Sequence, residues 1–137
     1  MADAPRPARG VLDTSVVIDL DELAASQLPV EVAVSAITMA ELAAGPHATT
    51  DVDVRGRRQD RLQRAEAAFD PLPFDGDAAR AYGRVFATVV AAGRKARGAR
   101  AVDLVIAATA LAHELPLYTR NGDDFAGLDD LIDIHVV

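Results

Sequence analysis

The chain has 137 residues, which is enough for one domain with a hydrophobic core of its own. It contains no cysteine, so disulfides, thiolate metal sites and cysteine nucleophiles are excluded, and its three histidines are scattered. Aromatic residues make up 4%, too few for a base-stacking platform. Neither a membrane-spanning run nor a secretory signal is present, so the sequence predicts a cytoplasmic protein. We expect a single domain over residues 1–137 with a flexible start at 1–9.

The net charge is −7, from 14 basic and 21 acidic residues, a balance that by itself disfavours a polyanionic partner. The positive charges are unevenly spread, however. All but Lys95 are arginines, and most of them lie in residues 55–64 and 94–100. Each segment is either a solvated helix face or a basic surface that holds a phosphodiester beside an acidic site.

Strand and helix patterns alternate along the chain. In chain order, the sequence predicts a strand at 10–13, a helix at 16–23, a strand at 30–34, helices at 38–44 and 55–69, a helix from Asp75 or Asp77 to about 92, a buried helix at 102–113, a strand at 117–119, a turn or short helix at 121–125, and a strand at 132–137. Residues 47–54 and 93–100 are predicted as loops. This alternation predicts an α/β fold with a mostly parallel sheet.

The sequence also predicts the ends of one of these helices and the buried face of another. Ser35 occupies an N-cap position before the helix at 38–44, which Gly45 and Pro46 end. The helix that reaches about residue 92 is predicted to bury one apolar stripe, formed by Tyr82, Val85, Phe86 and Val89.

Acidic residues stand where strands end or apolar helices begin. Asp13 ends the first predicted strand, and Asp103 opens the most hydrophobic helix. Glu41 is the only charge in a short apolar helix, and Asp123 and Asp124 follow the third strand. Because the carboxyl ends of parallel strands share one edge of a sheet, these acids are predicted to gather there. Clustered carboxylates raise each other's pKa, which favours a bound hard cation, Mg²⁺ or Mn²⁺.

Each acid also has a purely structural interpretation. Asp13 suits a turn, Asp103 suits the positive end of a helix dipole, and Asp123 or Asp124 suits a turn cap. Glu41 is the hardest to explain in this way.

The acids lie within motifs that resemble a known family. The segments VLDTS at 11–15, SAITMAEL at 35–42, AVDLVIAATA at 101–110 and YTRNGDDF at 118–125 resemble the motifs of PIN-domain proteins, in family order and spacing. At this size, the chain is most similar to the ribonuclease toxins of the VapC type, from bacterial VapBC toxin–antitoxin pairs. The resemblance covers residues 11–125. It implies a PIN-like three-layer α/β/α fold, with a central sheet of about four or five short strands.

The resemblance also implies a metal-dependent endoribonuclease. Asp13, Glu41 and Asp103 match the acids that hold the ion. Asp124 matches the fourth acid best, with Asp123 as an adjacent competitor. Thr14 and Ser15 match hydroxyls near the ion, and Asn121 matches a neighbour of the site. The partners implied are RNA, a VapB-type antitoxin and a second copy of the chain, with no membrane.

For the chemistry, a cation at the acids would activate water while Glu41 or Asp124 accepts its proton as general base. The basic segment before Asp103 is predicted to bind the backbone of a structured RNA, whether transfer, ribosomal or messenger RNA. Its candidate contacts are Arg94, Lys95, Arg97 and Arg100.

Two other functions stay open from the residues alone. A phosphatase that forms a phosphoaspartate also starts with a strand ending in Asp, but it usually needs a second acid at the position of Ser15. An interaction domain would use its acidic edge only to bind a basic segment of a partner.

Overall fold

The computed structural model describes residues 6–96 and 98–137. Its helices and strands are, in chain order, β1 (Arg9–Leu12), α1 (Thr14–Ile18), β2 (Glu31–Val34), α2 (Ala36–Ala44), α3 (Val52–Ala68), α4 (Gly76–Ala91), α5 (Ala99–Ala112), β3 (Leu117–Thr119) and β4 (Ile134–Val136). Single 3-10 turns occur at Leu20–Glu22, Ala25–Gln27, Gly45–Ala48 and Gly122–Phe125. Of the helices described, none is both long and apolar enough to cross a membrane.

The strands form one parallel sheet in the order β2-β1-β3-β4. The central strand β1 pairs with both β2 and β3, so that Leu12 lies opposite Val34 on one side and Tyr118 on the other. The chain runs outward from β1 to β2 and then crosses back to β3 on the far side. The segments that follow β1 and β3 therefore flank the position where strand order reverses, which is where open α/β sheets bind their ligands.

Helices cover both faces of the sheet, as the resemblance implied. Successive strand residues point to opposite faces, and each face has its own hydrophobic core. Val11, Ala33 and Leu117 pack with buried residues of α4 and α5. The neighbouring positions in each strand pack instead with α1, α2 and α3. The prediction of a three-layer α/β/α fold with a mostly parallel sheet is confirmed.

Side-chain caps begin several helices at the expected residues. The Ser35 hydroxyl accepts a hydrogen bond from the Thr38 amide at 3.1 Å, which confirms the predicted N-cap of α2. Asp75 rather than Asp77 caps α4, accepting from the Ala78 amide at 3.0 Å. Each such cap supplies a partner to a backbone amide that the helix itself leaves unpaired.

Several predicted boundaries were wrong. The helix predicted at 16–23 starts at Thr14 and ends at Ile18, continuing only as a 3-10 turn. The loop predicted at 47–54 is shorter, because Asp51 caps α3 by accepting from the Val54 amide. The loop predicted at 93–100 also ends early, because Gly98 takes a positive φ of 72° and α5 begins at the next residue. Arg100 is therefore a helical residue.

The apolar stripe of α4 is rotated from the predicted one. The buried positions are Ala78, Ala81, Val85 and Val89, whereas Phe86 is 41% exposed. Small alanines at these positions let α4 approach its neighbours closely, and Phe86, next to Val85 in the chain, is turned away from them. Its ring lies 6.2 Å from that of Tyr82, centre to centre.

Two glycine substitutions, one in the sheet and one in helix α3, are expected to change the free energy of unfolding in opposite directions. A Cβ atom at Gly10 would lie 2.6 Å from Cε1 of Tyr118, whose buried ring stacks on His135 and has little room to move. We expect Gly10→Ala to lower the free energy of unfolding by about 1–3 kcal/mol. A Cβ atom at Gly56 in α3 would have no atom within 4 Å, so Gly56→Ala should raise the free energy of unfolding by about 0.5–1 kcal/mol. Urea unfolding of both variants checks this, and an unchanged midpoint for Gly10→Ala would contradict it.

Candidate active site

Asp13 lies directly after β1 and is only 4% exposed. Its backbone amide donates to the Tyr118 carbonyl at 2.9 Å, which continues the pairing of β1 with β3. Its side chain caps α1 by accepting from the Val16 amide, at 3.1 Å, through Oδ1. The sequence suggested a turn as the structural role of Asp13, and the structure instead shows a helix cap made through Oδ1. The other carboxylate oxygen of Asp13, Oδ2, takes no part in the cap.

Ser15 connects Asp13 to the segment after β3. Its hydroxyl donates to Oδ1 of Asp13 at 2.6 Å and accepts from the backbone amide of Arg120 at 3.1 Å. The Ser15 hydroxyl is thus occupied in orienting the Asp13 carboxylate. Arg120 was not among the predicted site residues, and its side chain pairs at 3.7 Å with Asp19, away from this contact.

Glu41 is held by Thr14. The Thr14 hydroxyl donates to Oε1 of Glu41 at 2.5 Å and lies 3.1 Å from the Thr38 hydroxyl, which is fully buried. Sequence reasoning missed Thr38, although its position three residues after the Ser35 cap was a signal. Glu41 itself lies on the exposed face of α2, so its charge does not interrupt a buried helix face as its apolar neighbours suggested.

Asp103 is half-buried in the second turn of α5, and the charges of the other acids affect the pKa of its carboxyl group. Its pKa is raised from 3.8 to about 6, first by burial and then by the negative charges of Asp124, Asp13 and Glu41, in that order; Arg100 lowers it. The fold therefore brings the predicted acids within electrostatic range of one another. A carboxyl group so perturbed marks a candidate functional site.

Asp124 and Asp123 differ in their relation to this cluster. Both belong to the 3-10 turn Gly122–Phe125, whose last residue is buried and anchors it to the core. Asp124 is half-buried and is the strongest charge acting on the Asp103 pKa, whereas Asp123 is exposed and is not among the causes of that shift. Of the two competing acids, Asp124 is the one that the turn directs toward Asp103.

Arg100 holds this turn in position. Its guanidinium Nη1 donates to the backbone carbonyls of Asp124 at 2.9 Å and Asp123 at 3.2 Å. Arg100 therefore makes a positioning contact through Nη1, and its contact with a phosphate stays a prediction. It clamps the turn that carries Asp124 onto the helix that carries Asp103.

The other residues predicted to contact substrate are Arg94, Lys95, Arg97 and Asn121. Arg94 and Lys95 are exposed in the turn after α4, and Arg94 runs beside Gly127. Arg97 lies outside the described residues. Asn121 is exposed, and its backbone amide donates to the Thr119 hydroxyl at 3.1 Å.

The donor chemistry at the acids fits a hard divalent cation. The groups are all carboxylates, and the negative charges of Asp124, Asp13 and Glu41 disfavour the ionised form of Asp103. A bound cation would offset that repulsion. Within residues 6–96 and 98–137, no three acidic or histidine side chains are close enough together to share one ion as they stand.

Comparisons with known proteins agree with this architecture. The PIN-domain family profile matches residues 10–131. The chain is 38% identical over 134 residues to Ribonuclease VapC5 of Mycobacterium tuberculosis, covering 96% of each protein. It is similar to a chain of VapBC-5, a toxin–antitoxin system of the same organism, with a TM-score of 0.79 and 37% identity over 96% of this chain and 98% of that one. It is also similar to a chain of FitAcB from Neisseria gonorrhoeae, with a TM-score of 0.68 and 28% identity over 90% and 94%.

A parallel sheet covered on both faces, with acids gathered where its strand order reverses, defines an α/β protein of the PIN-like class. The chain belongs to the PIN-domain family. Its similarity to a VapC ribonuclease extends over nearly its whole length.

The raised Asp103 pKa predicts how pH affects the metal-free protein. Because the folded-state pKa of about 6 lies above 3.8, the folded state binds this proton more tightly than the unfolded chain does. Stability is therefore highest below about pH 4 as far as this group is concerned, and falls as the pH rises through 6. We expect Asp103→Asn to remove this fall and to raise the melting temperature at pH 7.5 by roughly 2–4 °C.

Thermal unfolding in EDTA between pH 4 and 8 measures the effect, with Asp123→Asn as the matched control. Adding Mn²⁺ at pH 7.5 should then stabilise the wild-type protein more than Asp103→Asn. Equal pH profiles for the wild type and Asp103→Asn would contradict the prediction.

The clamp made by Arg100 predicts an effect on metal affinity. Arg100→Gln frees the turn that carries Asp124, and we expect Mn²⁺ to bind about tenfold more weakly, as calorimetry would measure. Arg94→Gln removes an exposed positive charge of the preceding turn and should leave Mn²⁺ affinity within about twofold. Equal Mn²⁺ affinities for Arg100→Gln and the wild type would show that the clamp does not position Asp124.

Proposed function

We propose that the protein is a metal-dependent endoribonuclease that uses Mg²⁺ or Mn²⁺ held by Asp13, Glu41, Asp103 and Asp124. The observation that carries the proposal is the Asp103 carboxyl group, which is half-buried and repelled by three further carboxylates on other elements of the fold. The family and the relative named Ribonuclease VapC5 support ribonuclease activity for such a site.

When bound, the cation would supply an activated water and positive charge for the scissile phosphate. The residues of the chain would do the rest. Ser15 and the α1 cap would hold the Asp13 carboxylate in one orientation, and Arg100 would hold Asp124. Glu41 or Asp124 would accept the proton of the attacking water as general base. Thr14, which donates to Oε1 of Glu41, would orient that carboxylate.

The proposed biological role is that of a toxin in a type II toxin–antitoxin pair. VapBC-5, the similar structure from Mycobacterium tuberculosis, is described as a member of the VapBC family of toxin–antitoxin systems. By analogy, the partners are a VapB-type antitoxin and a second copy of this chain, and the site of action is the cytoplasm. The chain would act as a single domain, on transfer, ribosomal or messenger RNA.

The alternative functions have less support. A phosphoaspartate phosphatase usually has a second acid at the position of Ser15, and Ser15 instead hydrogen bonds to Asp13. An interaction domain would not require mutually repelling carboxylates beside a half-buried aspartate.

The direct test is RNA cleavage by the purified protein, free of any partner, on total transfer RNA and ribosomal RNA. We expect discrete fragments with Mg²⁺ or Mn²⁺ and none with EDTA. Asp103→Asn and Asp124→Asn should lower kcat about a hundredfold or more, because each removes a charge that holds the ion. Asp123→Asn is the matched control and should retain kcat within about threefold.

Cleavage that persists in EDTA would contradict metal dependence. If Asp123→Asn lost activity and Asp124→Asn kept it, the assignment of the fourth acid would be reversed. Absence of both cleavage and Mn²⁺ binding would favour the interaction domain.

A further inference from the structure

A groove next to the acids contains residues from three helices. Thr14 of α1 and Glu41 of α2 line it together with Arg58 and Arg61 of α3, and its volume is about 200 Å³. At about 30 Å³ per water molecule, this is room for several waters or for a phosphodiester group. The groove therefore joins the candidate active site to the basic segment at 55–64, whose role the sequence left open.

Most arginines of this segment already have partners within the protein. Arg55 donates to the carbonyls of Pro46 and Thr49, at 3.2 and 2.9 Å. Arg58 donates to the Gly45 carbonyl at 2.9 Å. These contacts fasten α3 to the end of α2. Arg64 pairs with the carboxylates of Asp60 and Asp21, at 3.2 and 3.5 Å.

Arg61 differs from these arginines. It is half-buried, it lines the groove, and within residues 6–96 and 98–137 it makes no ion pair or side-chain hydrogen bond. Arg61 also lines a neighbouring groove of about 210 Å³ that contains Asp21, but that carboxylate pairs with Arg64. Arg57 likewise makes no such bond to any residue that the structure describes, but it is exposed and does not line either groove.

We propose that Arg61 binds a backbone phosphate of the RNA next to the one that is cleaved. The proposal rests on the ribonuclease function proposed above and adds a substrate-binding residue to that site. Glu41 and Arg61 line the same groove, so a strand whose scissile bond lies at the acids has a path along it from Glu41 to Arg61. A guanidinium group donates two parallel hydrogen bonds to phosphate oxygens, and an RNA strand presents a phosphate at every nucleotide.

The contact also explains how an acidic protein binds a polyanion. The net charge of −7 repels RNA at long range, so affinity must come from local positive charges beside the bound cation. Arg61 is a positive charge of α3 in a groove that adjoins the acids and is not committed to the fold. A phosphate contact of this kind positions the strand without reading its sequence.

The experiment compares Arg61→Gln with Arg57→Gln, which removes the same charge from the same helix outside the groove. RNA cleavage is measured for the full chain with Mn²⁺ over a range of salt concentrations. We expect Arg61→Gln to raise KM on the order of tenfold with kcat nearly unchanged. The dependence of log KM on log salt should become less steep by about 0.7, the value for one phosphate contact on a single strand. Arg61→Lys should recover the salt dependence but only part of the affinity.

Further measurements separate the possible outcomes. Melting temperature and Mn²⁺ affinity should be the same for Arg61→Gln and the wild type, because Arg61 holds neither the fold nor the ion. If Arg61→Gln matched Arg57→Gln in KM and salt dependence, the proposal would be wrong while the ribonuclease function stood. The proposal would also be wrong if Arg61→Gln weakened binding of an antitoxin but left KM unchanged. If the wild-type protein neither bound nor cleaved RNA, the ribonuclease function would fail and the Arg61 contact with it.

Discussion

Repulsion among carboxylates at the carboxyl edge of the sheet is the constraint on which the rest of the structure depends. Asp103 is half-buried near three other acids, and its pKa is raised to about 6, first by burial and then by their negative charges. The sheet supplies the framework, because β1 and β3 are adjacent and end side by side. Local hydrogen bonds then fix each acid. Ser15 orients Asp13, Thr14 orients Glu41, and Arg100 holds the turn of Asp124.

The arginines of the chain differ in what they contact. Arg55, Arg58 and Arg100 bind backbone carbonyls and join one element to the next. These side chains act as structural cross-links, since a guanidinium group carries several donors in a fixed plane. Arg61 lies in the groove beside Glu41 and is the candidate for contact with substrate. The high arginine content therefore has a structural cause as well as a proposed functional one.

Much of the fold followed from the sequence because its signals are local. The Ser35 cap, the buried strand at 117–119 and the alternation of strands with helices each depend on neighbouring residues, and each was confirmed. The exposure of Phe86 was not predictable in this way, because periodicity gives the spacing of an apolar stripe but not its exact rotation. The bonds that Arg100 makes to the turn of Asp124 were not predictable either, because that turn lies more than twenty residues away in the chain.

The bond between Ser15 and Arg120 has a consequence for how such a site can be recognised in other chains. The loop after β3 contributes a backbone N–H to this bond, not a side chain. Any residue except proline carries that donor. The identity of residue 120 is therefore free to vary as far as Asp13 is concerned, provided that the backbone keeps its path. A comparison of side chains alone would overlook this connection between the first and last motifs, even though it links the two strand ends that carry the acids.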